Sequence, residues 1–271
     1  MKIAFLSFYS GYIHRGMETV VAHLASRLGN IHQVQVLQAG PISFKDNTTY
    51  NTTQIPISMP HWPEINDRGY TRKFFIDYYS RKIAIFTIKC LPHLREFQPD
   101  IIIPTNGGWS STICKIASKT SHCKLVIMGQ AGLGWDDRWN LLQHPDLFIA
   151  LCKRNLNWAN QYSPNINKIV IANGVDLSRF NPDASNQLPP SIQSQLKTLP
   201  RPHILCIAGN QKMKRVADTI HAVHQLKKGT LILLRGGRLD QDPDVKLGQS
   251  VLKDRFLALT LSHDQMPAIY A

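Results

Sequence analysis

The sequence predicts an α/β protein of two lobes, each built on a parallel sheet with helices on its faces. Three observations carry this expectation. Short runs dense in Val, Ile and Leu alternate with amphipathic stretches almost from end to end, which is the pattern of strands buried on both faces. The chain has 271 residues, enough for one large or two medium domains, because single cores stop growing at roughly 250–300 residues. Composition then shifts at 181–202, NPDASNQLPPSIQSQLKTLPRP, rich in Pro, Ser, Asn and Gln. That segment reads as a linker without elements of its own, dividing the chain into 1–180 and 203–271.

Each element follows from its pattern. KIAFLSF (2–8) is a buried strand. RGMETVVAHLASRL (15–28) is a helix because Val20, Val21, Leu24, Ala25 and Leu28 fall on one face. VQVL (34–37) is the second strand of a βαβ start. After a polar loop with several Pro come a long helical stretch (70–97), strand DIIIPT (100–105), helix SSTICKIASKT (110–120), strand KLVIMG (124–129), strand LFIALC (147–152), helix KRNLNWANQYS (153–163) and strand KIVIAN (168–173). The second series is HILCIAG (203–209), helix KRVADTIHAVHQL (214–226), TLILLRGG (230–237), a helix near 243–252 and FLALTL (256–261). Ser262-His-Asp-Gln265 is a capping-box pattern announcing one more helix. The second lobe therefore reads as unfinished where the sequence ends.

Composition narrows the function classes. With 43% hydrophobic and 18% charged residues the chain is ordinary for a globular protein, and no apolar run approaches the roughly 18 residues that span a bilayer. The N-terminus has a short apolar run but no small-residue cleavage site, so it reads as a first strand rather than a signal peptide. Five cysteines, an odd count without a C-x-x-C pair, suit reduced, buried thiols of a cytoplasmic protein rather than disulfides or a zinc site. Asn47-Thr48-Thr49 and Asn51-Thr52-Thr53 match a glycosylation acceptor but read as polar loop. The formal charge of +13 predicts a polyanionic partner: nucleic acid, an anionic membrane face or a phosphorylated small molecule. Charge alone does not choose among them.

The motifs do. In IVIANGVDLSRFNP (169–182) a β-branched run stops at Asn173-Gly174, continues through Val175-Asp176 and ends at Pro182, and ligands of parallel sheets sit at such carboxyl ends. An ordinary Asn-Gly turn explains only the first two residues. Strand, Asn173-Gly174-Val175-Asp176 and Phe180-Asn181-Pro182 together resemble the exit from the acceptor lobe of the group 1 (family 4) nucleotide-sugar glycosyltransferases, which have two Rossmann-like lobes of GT-B type. The resemblance implies an acceptor-side lobe over 1–180 and a partial nucleotide-sugar-binding lobe over 203–271.

Three further stretches fit that family. Arg15-Gly16-Met17-Glu18 stands where many members have Gly-Gly-x-Glu. A Gly at a strand-to-helix turn lets backbone N–H groups approach a diphosphate, so Gly16 and Arg15 are donor candidates, with a simple turn as the other reading. Gly209-Asn-Gln-Lys212-Met-Lys214-Arg215 stands where members place a Lys that neutralises the leaving diphosphate. Lys214 matches it, and Lys212 or Arg215 would share the role; an exposed basic helix start is the alternative. LILLRGGRL (231–239) resembles the turn bordering the nucleotide base, with Gly236 and Gly237 allowing close approach.

Within the first lobe, GQAGLGWDDRWNLLQHPDLF (129–148) reads as a rich polar loop. Gln130 occupies the place of a substrate-contacting His of the family. Asp136, Asp137 and Arg138 either bind acceptor hydroxyls or form an internal ion pair, and Trp135 and its neighbour Trp139 suit sugar stacking and packing equally. GYTRKFFIDYYSRKIAIFTIK (69–89) interleaves aromatics with Arg72, Lys73, Arg81, Lys82 and Lys89, either a face for an anionic membrane or a core helix with solvated charges.

The resemblance thus implies a cytoplasmic, retaining glycosyltransferase, peripheral at a membrane face, moving sugar from a nucleoside-diphosphate sugar to a glycan or lipid-linked acceptor, with no metal and no separate cofactor. Asp240-Gln-Asp242 and Asp242-Pro-Asp244 match the D-x-D tripeptide of other transferases but read as turn and cap residues. The rival readings are an inactive nucleotide-binding module, realistic if the second lobe lacks the donor-holding Glu-x7-Glu segment of the family, and a basic nucleic-acid-binding protein, for which no motif stands out.

Overall fold

The computed structural model describes residues 1–13, 15–42, 49–58, 70–209 and 214–271, the side chains of Tyr70, Ser185 and Asn186 excepted. The chain divides into two compact units that meet in sequence at Gly174 and Val175.

The first unit holds a seven-stranded sheet, every pairing parallel. Its strands are β1 (Lys2–Ser7), β2 (Gln33–Gln38), β3 (Asn51–Gln54), β4 (Ile101–Pro104), β5 (Lys124–Gly129), β6 (Leu147–Ala150) and β7 (Lys168–Val170), in spatial order β3-β2-β1-β4-β5-β6-β7. Alternation along β1 shows how the sequence dictates the layers. Ala4 and Leu6 join one core with Ile83, Phe86 and Cys90 of α2 (Tyr78–Phe97), Cys114 of α3 (Trp109–Thr120) and Ala159 of α5 (Lys153–Tyr162). Ile3 and Phe5 point the other way, onto Val21 and Ala25 of α1 (Gly16–Gly29). Strand order reverses direction between β1 and β4, which opens a ligand crevice outside their carboxyl ends.

The second unit holds a three-stranded parallel sheet, β8 (His203–Ile207), β9 (Thr230–Leu234) and β10 (Phe256–Leu259), in order β10-β9-β8. Helices α7 (Val216–Gln225) and α8 (Pro243–Leu252) cover one face through Ile220, Val223, Val245 and Leu252. Gly248 allows this contact, since a Cβ there would lie 2.3 Å from the Phe256 ring. The capping box at Ser262 and Gln265 forms and leads into the short α9 (Met266–Tyr270).

Four expectations are corrected. Asn51-Thr-Thr-Gln54 is an edge strand, not loop, because its β-branched threonines pair with β2, and Gln35 Nε2 donates to Thr53 Oγ1 at 3.1 Å; Asn47 lies outside the described residues. The stretch 70–97 is two pieces: a 3-10 turn (Tyr70–Phe74), a left-handed Phe75 with φ 55°, and α2. Asp77 restarts the helix, its carboxylate accepting from the N–H groups of Tyr79 and Ser80 at 3.1 and 3.3 Å. The loop 129–148 contains α4 (Trp135–Leu142), whose first turn carries Asp136 and Asp137. The segment 181–202 is not free of elements: it holds a 3-10 turn (Pro182–Gln187) and α6 (Pro190–Thr198), where Pro at the first position is preorganised for a helix. Among the described residues no helix is long and apolar enough to cross a membrane.

Candidate functional site

The crevice of the first unit is framed largely by main chain. The loops after β1 and β2 touch backbone to backbone, Gly40 N–H donating to Ser10 O at 3.1 Å, and the Gln38 side chain braces the second loop, its Nε2 donating to Pro41 O at 2.9 Å. A Cβ at Gly11, whose φ is +83°, would come within 2.4 Å of Pro41 O, and one at Gly40 within 2.4 Å of Tyr12 N. On the β4 side, Asn106 Oδ1 accepts from Phe8 N–H at 3.0 Å.

Gly16 is the first residue of α1 and a Cβ there would meet nothing within 4 Å, so the helix start is open to a ligand. Its charge balance differs from the sequence expectation. Arg15 lies over the Tyr9 ring at 4.6 Å and donates to Glu18 Oε1 at 3.3 Å. Glu18 is buried in the first helical turn, and its Oε2 has no hydrogen-bond partner among the described residues. A carboxylate at this end already complements the helix dipole and competes with an incoming phosphate.

At the ends of β5 and β7, Gln130 and Asn173 form a reciprocal amide pair: Gln130 Nε2 donates to Asn173 Oδ1 at 2.9 Å, and Asn173 Nδ2 to Gln130 Oε1 at 3.2 Å. Two residues placed in different roles by the sequence thus act on one another. A Cβ at Gly174 would face open space. Asp176 shapes a local turn, its Oδ1 accepting from Ser178 N–H at 3.0 Å and Ser178 Oγ at 2.6 Å.

The α4 acids separate. Both carboxylate oxygens of Asp136 accept from one guanidinium nitrogen of Arg72, Nη2, at 2.5 Å, so the ion pair expected within the loop reaches instead across 64 residues. Arg138 turns away, over the Tyr162 ring at 4.8 Å. Asp137, by contrast, is 2% exposed. Burial pushes its carboxyl up to about 7, against a bond from Asn140 Nδ2 at 3.2 Å and backbone N–H groups of Ala131 and Gly132.

In the second unit, Gly236 and Gly237 follow β9, and a Cβ at either would meet nothing within 4 Å; Gly237 has φ +96°. Lys214 is exposed just ahead of α7, which begins at Val216 rather than at 214. Arg215 adopts the left-handed region, φ 51°, and pairs with Asp218 in the first helical turn. Lys212 lies outside the described residues.

Arg235, given no role from sequence, organises this end. Its guanidinium donates to Asp242 at 2.6 and 2.7 Å, to Asp244 at 2.8 Å and to the carbonyls of Ala208 and Gly209 at 3.3 and 3.1 Å. Asp242 in turn caps α8, accepting from Asp244 and Val245 N–H at 2.9 and 3.1 Å, as the cap reading of that tripeptide requires. Burial alone raises the Asp242 carboxyl, but Arg235 and the helix N–H groups outweigh it and hold it below the usual range. Among the described residues no group of three or more His, Cys, Asp or Glu is placed to hold a metal ion.

Both units are built on Rossmann-like parallel sheets, a GT-B-type fold shared by solved glycosyltransferases and UDP-N-acetylglucosamine 2-epimerases. Solved structures agree at the level of fold. A glycosyltransferase from Rickettsia africae matches with TM-score 0.60 and 14% identity, over 99% of this chain and 70% of that one. UDP-N-acetylglucosamine 2-epimerase from Rickettsia bellii matches with TM-score 0.61 and 13% identity, over 96% and 68%. UGT89C1 from Arabidopsis thaliana, complexed with UDP-L-rhamnose, matches with TM-score 0.55 and 10% identity, over 96% and 69%. No protein-family model and no curated protein matches the sequence.

Proposed function

We propose that the protein is a retaining glycosyltransferase that uses a nucleoside-diphosphate sugar as donor and a glycan or lipid-linked molecule as acceptor, without a metal or a separate cofactor. One observation carries the reading. Beyond two adjacent strands, β8 and β9, an exposed Lys214 and an open Gly236-Gly237 turn supply the positive charge and close backbone approach that a nucleoside diphosphate needs. Positive charge there stabilises the diphosphate as it leaves. The UDP-sugar in the UGT89C1 structure supports the same donor class.

Lys214→Ala is expected to weaken UDP or GDP binding about tenfold, the loss of one charge-assisted hydrogen bond, with melting temperature unchanged. Unaltered affinity by calorimetry would reject this role. Nucleoside diphosphate released only when an acceptor is added would support transfer. Donor binding without turnover would favour the inactive-module reading, and salt-sensitive binding to arbitrary DNA the nucleic-acid one.

The basic helix supports a peripheral membrane contact in revised form. Arg72 is engaged by Asp136, whereas Arg81, Lys82 and Lys89 share the outer side of α2 with exposed Ile85 and Ile88. The protein is expected to co-sediment with anionic but not neutral vesicles and to be released by salt. Equal sedimentation with both would remove the contact.

A further inference from the structure

We infer that Trp135 and Trp109 form a carbohydrate-stacking platform, and that the acceptor is a glycan offering a pyranose ring rather than a bare lipid phosphate. The role, though not the binding, rests on the transferase reading above.

Trp109 opens α3 just after β4 and Trp135 opens α4 just after β5. Because β4 and β5 are neighbours and parallel, both indoles stand at the carboxyl end of the sheet. Trp139 sits behind them, its ring centroid 6.2 Å from that of Trp135 and 6.5 Å from that of Trp109, and 5.2 Å from Phe75. Trp109 Nε1–H donates to Phe75 O at 2.9 Å and Trp139 Nε1–H to Thr112 Oγ1 at 3.1 Å. The cluster is therefore anchored from inside by directional bonds, while Trp135 and Trp109 remain 44% and 38% exposed. Rigid aromatic area held out in water at a strand end is costly for folding and useful for binding.

The surroundings select the ligand. A pyranose offers a face of C–H groups to an aromatic ring and hydroxyls around its rim. The rim here is the Arg72–Asp136 pair, 26% and 30% exposed, a planar donor beside a planar acceptor. Gly132 and Gly134 leave the approach open, since a Cβ at either would meet nothing within 4 Å. A phosphate fits poorly: Asp136 neutralises Arg72, and Arg138 lies over Tyr162.

The test titrates the full chain with cellobiose, lactose and N,N′-diacetylchitobiose, with geranyl phosphate as the lipid-phosphate probe, following tryptophan fluorescence and saturation-transfer NMR. At least one disaccharide should bind, with saturation on its ring C–H protons, and geranyl phosphate should not. Trp135→Ala should weaken that binding about tenfold and Trp135→Phe no more than about threefold, both with unchanged melting temperature and UDP affinity. Absence of binding by all three disaccharides, an unaffected Trp135→Ala variant, or Trp135-dependent binding of geranyl phosphate overturns the platform. Disaccharide binding through Trp135 in a chain that ignores nucleoside diphosphates upholds the platform and removes the transferase reading.

Discussion

Replacing Arg235 with Met is expected to destabilise the second unit by about 3–5 kcal/mol, the cost of leaving buried charges without their partner. The Arg235 side chain is 2% exposed and Asp242 10%, so little solvent screens the pair. Met fills much of the volume but returns nothing to Asp242, Asp244, or the carbonyls of Ala208 and Gly209 that Arg235 now satisfies. Arg235→Lys should recover only part, because one ammonium cannot reproduce a planar fork spread over two carboxylates and two carbonyls. Adding Asp242→Asn to Arg235→Met should recover some stability by removing an orphaned charge. Amide exchange in β9 and α8 reads the effect directly. A Met variant within about 1 kcal/mol of the parent would mean that water replaces the network without loss.

Asp137 is expected to give the first unit a pH dependence of opposite sign to ordinary acid denaturation. Its folded carboxyl titrates near 7 against 3.8 for the free group, so above pH 3.8 the unfolded chain gives up its proton before the folded one does. The unfolded state then binds fewer protons, and stability falls as pH rises from about 4 to about 7 and levels off above that. The difference between 3.8 and about 7 corresponds to at most about 4 kcal/mol. Asp242 works the other way: its lowered carboxyl contributes stability above the ordinary carboxylate range that is lost on acidification. Asp137→Asn should flatten the slope between pH 4 and 7 in urea titrations followed by a first-unit probe. An unchanged slope would assign the dependence to another group.

Legibility in the sequence tracked how local each cause was. β1, α3, β5, α5 and α8 could be read within a residue or two, since a dense apolar run or a 3.6-residue period is contained in the segment itself. α4 hid because its aromatics and acids mimic a binding loop, and β3 because Asn-Thr-Thr-Gln, exposed to half-buried on a sheet edge, has no apolar residue to mark it as a strand. Of the site, the open turns at Gly16, Gly174, Gly236 and Gly237 were visible as glycine beside strand or helix signals. The partners were not. Arg72 meets Asp136 and Gln130 meets Asn173 only because the sheet brings distant loops to one end. Arg235 had one available signal, a cation ending an apolar strand shortly before Asp242-Pro-Asp244.

The crossing of Gly11 and Gly40 bears on how such a protein can change over time. Where two loops rest on each other at glycine backbone, with no Cβ between them, their spacing is set mainly by peptide groups, with the Gln38 amide as the side-chain brace. Positions on those loops whose side chains do not brace the frame, as Gln38 does, can be exchanged for a new substrate without moving it, while either glycine, once replaced, forces the loops apart. Divergence would then erase the wording of the crevice long before its shape, leaving a mouth that holds its form while its teeth are replaced.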